Sequence, residues 1–490
     1  MSSLNLADVF VGLSDRWGQQ RAVVSPHLNL TYSELVGRAA QAARELQSRD
    51  DMAGARIGLC LRDSAEILIG MIAVWMCGAT AVPLDFRTPP AERARLARDL
   101  ELKAVLEDRA GVASGYESIL VGPAWLEALA RHEQSPLWTD GESGAAPAVI
   151  SLTSGTTGRP VGVMIEHERL LLRSIFEPFH QFGAALLNPL PISFSASRTY
   201  TLGALLQGVT VHFHPALFSM EELANAIRSS RVSSACVVPT IIRGLLEVAG
   251  DRSAPLFDQL EVLYALGAPL HAEEKLLAKK LLCSNFVDGY GSSICGRISA
   301  LFGAELDANP DSVGRVLPHV VLQIVDANDA ILPAGEQGIV RVRTVGMAQG
   351  FYGESGSRSG DSIKHGWAYP GDLGAVDKNG FLRLLGRTSD LIIRGGANVH
   401  PSEVEASLAE HEGVKEVAVV GFAKTREGEE IAAFIVGAPN LTEAALMAHC
   451  RARLSPDKRP RKFVFVEALP RNLNGKVSRA ELRKQLEESV

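Results

Sequence analysis

The residues best suited to chemistry in this 490-residue chain lie in Thr153-Ser154-Gly155-Thr156-Thr157-Gly158. Hydroxyls and backbone amides at this density can converge on anionic oxygens. The glycines let the backbone turn tightly and approach a ligand closely. An apolar strand, Val149 to Thr153, feeds the segment, and Arg159-Pro160-Val161 leaves it. No Gly-Lys-Ser/Thr follows, so this phosphate grip is not of the Walker type. An ordinary polar turn is the competing reading, and the run of hydroxyl and glycine residues between two apolar strands weighs against it. Two further candidates are Lys476, in the turn Pro470-Arg471-Asn472-Leu473-Asn474-Gly475-Lys476, and Asp372, in Tyr369-Pro370-Gly371-Asp372-Leu373. Alone, a lysine is usually solvated surface and an aspartate after glycine is usually a turn residue.

Motif order and spacing strengthen both. Along the chain come Leu30-Thr31-Tyr32-Ser33-Glu34-Leu35, the run from Gly78 to Asp85, the hydroxyl loop, Gly267-Ala268-Pro269, Tyr290-Gly291-Ser292-Ser293, Gly371-Asp372-Leu373, Gly386-Arg387, Gly395 to Glu405 and Asn474-Gly475-Lys476. This series resembles the adenylate-forming superfamily of acyl-CoA synthetases, peptide synthetase adenylation domains and luciferases, over nearly the whole chain. The resemblance implies ATP-dependent activation of a carboxylic acid to an acyl-adenylate, with Mg²⁺, followed by acyl transfer to coenzyme A. A carrier protein or an amine is the alternative acceptor, and a catalytically silent nucleotide-binding relative is the reading from another class.

By the same resemblance Lys476 bridges the substrate carboxylate and the α-phosphate. Thr153, Ser154, Gly155, Thr156, Thr157 and Gly158 hold phosphate, with Thr156 also at the metal. Asp372 and Arg387 hold the ribose and phosphate. Gly267, Ala268 and Pro269 form one wall of the adenine slot, and Tyr290, with Gly291, Ser292 and Ser293, forms the other. Phe194, Ser195, Arg198, Pro239, Thr240, Ile294 and Cys295 line the acid pocket. Ser389 falls at the hinge, and Gly395 and Gly396 face the coenzyme A tunnel.

Three positions depart from the family pattern. Val161 stands where a lysine normally follows the loop's proline. Ile294 replaces the glutamate that usually helps hold magnesium. Ser195 replaces the aspartate that pairs with the amino group of an amino acid. A buried ammonium without that partner is costly, so a non-α-amino acid is the expected substrate. Arg198 and Arg297 lie near the expected pocket, either to meet a further polar or anionic group or as structural arginines.

The elements that must position these residues read as α/β. Arg56–Cys60 and Val262–Leu266 read as buried strands, as does Ser233 to Val238, which ends at Pro239. Ala65 to Cys77 reads as a covered helix. The alternation suggests a parallel sheet with helices on its faces. A separate β region is expected near 310–385. Residues 391–490 read as strand, helix, strand, strand, helix, strand. The expected organisation is a large N-terminal domain, 1–388, of helix-covered sheets plus the β region, and a small mobile α+β domain, 389–490. No carrier domain follows, so a stand-alone enzyme is expected.

Composition sets the broad class. Hydrophobic residues make up 46% and charged residues 21%, as in a soluble globular protein. The formal charge of −7 argues against nucleic acid as a partner. The six cysteines form no C-x-x-C pair, which fits a reducing cytoplasm better than a disulfide framework. The N-terminus does not read as a signal peptide. The apolar run Ile67 to Val82 is too short for a confident membrane span and reads as a buried helix entering a core strand.

Overall fold

The computed structural model describes residues 4–109, 116–139, 144–154, 160–177, 185–353, 362–394, 397–425, 428–471 and 476–488. The chain divides into two compact units, one of Met1–Val321 with Val342–Ala368, the other of Leu322–Arg341 with Tyr369–Val490.

Two helix-covered sheets build the first unit. Among the described residues one sheet has seven strands, with Thr80–Pro83, Arg56–Cys60 and Ala104–Glu107 in parallel at its centre. Their residues are buried almost throughout, as expected for strands covered on both faces. The crossover between the first two in sequence is the helix Ser64–Met76, one residue ahead of the expected span at each end. Its Asp63 cap accepts a hydrogen bond from the Ala65 N–H at 2.8 Å. Its apolar residues are buried on every side, so the Ile67 to Val82 run is a core helix followed by a core strand. Among the described residues no helix is long and apolar enough to cross a membrane. The other sheet has nine strands and carries Ser234–Val237, Val262–Leu266 and Phe286–Ser292 side by side in parallel.

His167 locks two parts of this unit together. It begins the helix His167–Ile175, accepts the Leu6 N–H at Nδ1 over 3.1 Å, and sets its ring edge-on to Trp75. Burial pushes its pKa down to about 4. The folded protein therefore prefers neutral His167, while the unfolded chain takes up a proton below the ordinary histidine value. The stabilisation is complete above about pH 6.5 and is lost as the pH falls towards 4. Urea unfolding at pH 7.5 and 4.5 should show a loss of about 2–3 kcal/mol in the native chain that His167→Asn lacks. Equal losses in both proteins would refute this assignment.

In the second unit, Asp372–Val376 and Leu382–Arg387 form an antiparallel pair. Further on, Val414–Thr425 pairs antiparallel with Gly428–Gly437, and Lys462–Phe465 joins the latter in parallel. Residues alternate between the two faces of these strands. Val419, Ile431 and Ile435 pack with Val404 and Leu408 of the helix Pro401–Ala409 and with Leu446 and Cys450 of Glu443–Arg453. Ala418, Val420 and Phe434 pack with Leu482 and Leu486 of a closing helix, Arg479–Glu488. That last helix is absent from the sequence reading. Its only two core leucines are four residues apart in an otherwise charged segment, a stripe too thin to stand out.

Candidate active site

The hydroxyl loop joins the two strands of an antiparallel hairpin, Pro147–Ser154 and Pro160–Glu166, with Thr153 opposite Val161. Gly155, Thr156, Thr157 and Gly158 lie outside the described residues, as does the side chain of Ser154. Thr153 is half-buried, and its Oγ1 donates to the Val161 carbonyl at 3.4 Å. Val161 itself is buried. An apolar residue there is consistent with its packed environment, and the cation expected at this position is absent.

The segments expected to hold adenine sit at strand ends of the nine-stranded sheet. Gly267 follows Val262–Leu266 with φ +96°, a left-handed conformation that suits glycine. A Cβ on Gly267 would lie 3.4 Å from the Phe194 ring, so the segments expected to hold adenine and the acid are direct neighbours. Ala268 is half-buried and Pro269 exposed. Tyr290 lies in Phe286–Ser292, half-buried and opposite Ser299 of Gly296–Leu301. At Gly291 a Cβ would overlap the Gly296 carbonyl, so no larger residue fits without shifting the hairpin. Gly291→Ala should cost about 1–3 kcal/mol in denaturant unfolding and weaken AMP binding. Unchanged stability and affinity would show that the hairpin relaxes freely.

The turn from Ser292 to Cys295 is held from two directions. Ser292 Oγ accepts the Cys295 N–H at 3.1 Å, and the Ile294 carbonyl accepts the Ala348 N–H at 2.7 Å. Arg173, at the inner face of His167–Ile175, donates to the carbonyls of Ser293 and Ile294 at 3.1 Å each and to that of Gly346 at 2.9 Å. Burial, and to a lesser extent neighbouring Arg169, pushes its pKa down to about 10, so it remains charged at neutral pH. Ile294 is half-buried and Cys295 buried.

On the acid side, the helix Ser195–Leu206 begins beside half-buried Phe194 and Ser195. Arg198 is wholly buried. Its guanidinium donates to the carbonyls of Ile192 and Ser193 at 3.2 and 3.3 Å and to Ser151 Oγ. The bond to Ser151 ties the strand that feeds the hydroxyl loop to the start of this helix. Burial, assisted by Arg173, brings the Arg198 pKa down to about 9. Arg297 pairs with Glu177 at 3.0 Å, and both side chains are buried. Pro239, buried, and Thr240, half-buried, open the helix Pro239–Ala249.

A buried ion pair links the two segments expected to hold adenine. Lys275, in the helix Ala272–Leu281 after Pro269, meets Asp288, two residues before Tyr290, at 2.7 Å. Lys275 Nζ also donates to the Ser312 carbonyl at 2.7 Å. Sequence reasoning missed Arg173, Glu177, Lys275 and Asp288. The available signal was a charge on the inner face of a helix, as at Arg173, three residues after buried Leu170.

In the second unit Asp372 and Arg387 are direct cross-strand partners. Arg387 Nε lies 3.1 Å from the Asp372 carboxylate, and its Nη1 donates to the Pro370 carbonyl at 2.6 Å. Gly371, at φ +82°, would place a Cβ 3.1 Å from that Nη1. Lys476 is exposed as a residue, yet the protein packed around it disfavours its charge. Arg387 lowers its pKa further, and Asp372 opposes the shift. Ser389 is exposed in the single turn Thr388–Asp390. Gly395 and Gly396 lie outside the described residues.

The model of the AMP-binding enzyme family matches residues 13–352, and that of the AMP-binding enzyme C-terminal domain matches residues 403–476. The long-chain-fatty-acid–CoA ligase FadD13 of Mycobacterium tuberculosis is 29% identical over 512 residues, covering 96% of this chain and 98% of the relative. A 2-succinylbenzoate–CoA ligase of Bacillus licheniformis is 30% identical over 480 residues, covering 95% and 98%. Among solved structures, ATP-bound MatB from Rhodopseudomonas palustris matches with a TM-score of 0.90 and 26% identity, over 99% of this chain and 100% of that one.

Proposed function

The chain belongs to the AMP-binding enzyme family, and from that premise we propose that it activates a non-α-amino carboxylic acid with ATP and passes the acyl group to coenzyme A. A carboxylate oxygen of the acid attacks the α-phosphorus, forming the acyl-adenylate and releasing pyrophosphate. The thiolate of coenzyme A then attacks the acyl carbon, forming the thioester and releasing AMP. The relatives named as CoA ligases support coenzyme A as the acceptor.

One observation carries this reading. Asp372, Arg387 and Lys476 come from three separate motifs, and in the folded second unit Arg387 stands directly opposite Asp372, its Nε 3.1 Å from the carboxylate, with both charges near enough to bear on Lys476. A carboxylate approaching an anionic phosphate needs positive charge at the meeting point. Lys476 supplies it. Asp372 accepts from the ribose hydroxyls and steadies Arg387. Tyr290 and the Gly267 to Pro269 wall take the adenine, and Thr153 to Gly158 take the phosphates.

The described residues hold no group of three or more His, Cys, Asp or Glu side chains fit for a metal, and Ile294 offers hydrocarbon where the family offers a carboxylate. These residues do not build a protein cage for Mg²⁺. The ion can be carried by nucleotide phosphates and water, with Thr156 as the proposed protein oxygen. Ser389 is the proposed hinge between 1–388 and 389–490. On one side of it the Thr388 N–H donates to the Gly371 carbonyl at 2.9 Å, and on the other Asp390 pairs with Arg479 and Arg483. Gly395 and Gly396 are the proposed contact with the pantetheine arm.

The test supplies ATP, Mg²⁺ and a panel of short-chain, aryl and fatty acids. It measures pyrophosphate release and hydroxylamine-trapped product, then adds coenzyme A and weighs the thioester. Acid-dependent release followed by thioester is the expected result. A trapped adenylate that coenzyme A fails to discharge would overturn the choice of acceptor.

A further inference from the structure

The acid-side helix, the adenine strand and the Tyr290 hairpin each send one large polar side chain to a common point. Tyr200 lies five residues after Ser195 in the helix Ser195–Leu206. Tyr264 lies three residues before Gly267 in Val262–Leu266. Arg297 stands opposite Gly291 in the hairpin that carries Tyr290, and its stem passes 3.8 Å from where a Cβ on Gly289 would lie. Arg297 Nη1 donates to the Tyr200 hydroxyl at 3.3 Å, and the two tyrosine rings meet edge to face at 5.4 Å. Glu177, just beyond the helix His167–Ile175, closes the cluster with its 3.0 Å pair to Arg297. The Arg297 and Glu177 side chains are 8% and 3% exposed, and Arg297 Nε makes no hydrogen bond among the described residues.

A hydrocarbon tail directed at this point meets a buried ion pair instead of an apolar channel. Displacing either partner would leave the other charge buried and unpaired, which is strongly unfavourable. A substrate oxygen would satisfy the unmet Nε–H, and a site built around such a donor discriminates sharply against ligands that lack the acceptor. Resting on the acid-activating reading above, we infer that Glu177, Arg297, Tyr200 and Tyr264 form the floor of the acid pocket. They select a short carboxylic acid bearing an oxygen acceptor near its far end, against unsubstituted longer chains.

Sulfamoyl-adenosine mimics of the acyl-adenylate test this without relying on turnover. Calorimetry should find the 3-hydroxybutanoyl mimic binding about tenfold tighter than the butanoyl mimic, and about a hundredfold tighter than the octanoyl mimic. The paired variant Glu177→Leu/Arg297→Met, which removes both charges together, should abolish the preference for the hydroxyl and admit the octanoyl group. Octanoyl binding as tight as hydroxybutanoyl in the native chain overturns the inference even if the variant misfolds. So does a preference that survives intact in the variant, and so does failure of every mimic to bind. If the mimics rank as expected but the matching acids release no pyrophosphate, the pocket assignment stands and the adenylation reading falls. If pyrophosphate release is fastest with octanoate, the reverse holds.

Discussion

Replacing Lys476 with alanine should lower acid-dependent pyrophosphate release by about 10²–10³-fold, the scale seen when a preorganised group facing developing charge is removed. Two anions must approach in adenylation, and Lys476 is the proposed cation between them. The second half-reaction differs, because the acyl-adenylate already exists and the attacking group is a thiolate. Lys476→Ala should therefore convert preformed acyl-adenylate and coenzyme A to thioester at close to the native rate. An equal loss in both steps would mean that Lys476 acts on the fold. The surrounding protein, and to a lesser extent Arg387, lowers the Lys476 pKa, so its cation is lost at lower pH than an ordinary lysine's. The alkaline limb of the adenylation profile should accordingly fall early, and Lys476→Arg should move it to higher pH.

Lys275→Met should destabilise the first unit by about 3–5 kcal/mol, since it leaves the Asp288 carboxylate buried without its counter-charge. Asp288 lies two residues before Tyr290, and Lys275 lies in the helix that follows Gly267 to Pro269, the proposed opposite wall of the adenine. Their 2.7 Å contact therefore ties together the two segments proposed to flank the adenine. AMP affinity should fall along with the denaturation midpoint. Removing both charges, as Lys275→Met/Asp288→Leu, should recover much of the stability, because an apolar pair of similar volume can replace a buried ion pair at little loss. A double variant as unstable as the single one would show that the two residues are not coupled.

What the sequence made legible follows from how each feature is encoded. Strands buried on both faces appear as short apolar runs, so Arg56–Cys60 and Val262–Leu266 were readable to the residue. The nucleotide motifs carry glycines whose need is local. Gly267 at φ +96° and Gly291 against the Gly296 carbonyl are backbone constraints that a linear motif preserves. The braces behind them depend on long-range pairing and leave no local pattern. Arg173 reaches the Ser293 carbonyl across 120 positions of sequence, and Glu177 meets Arg297 from a different element. The sequence left Arg198 open between a role in the acid pocket and a structural one, and only the fold shows that its donors go to nearby carbonyls and Ser151. The closing helix Arg479–Glu488 stayed hidden because two leucines suffice to dock it.

Acyl-adenylate formation is proposed for this chain even though Val161 and Ile294 replace the lysine and glutamate expected beside the phosphates. Acid-dependent exchange of labelled pyrophosphate into ATP, without coenzyme A, reports that step alone. Exchange should saturate with a non-α-amino acid and be lost in Lys476→Ala. Tight ATP binding with no exchange for any acid, or fastest exchange with a standard amino acid, would contradict it.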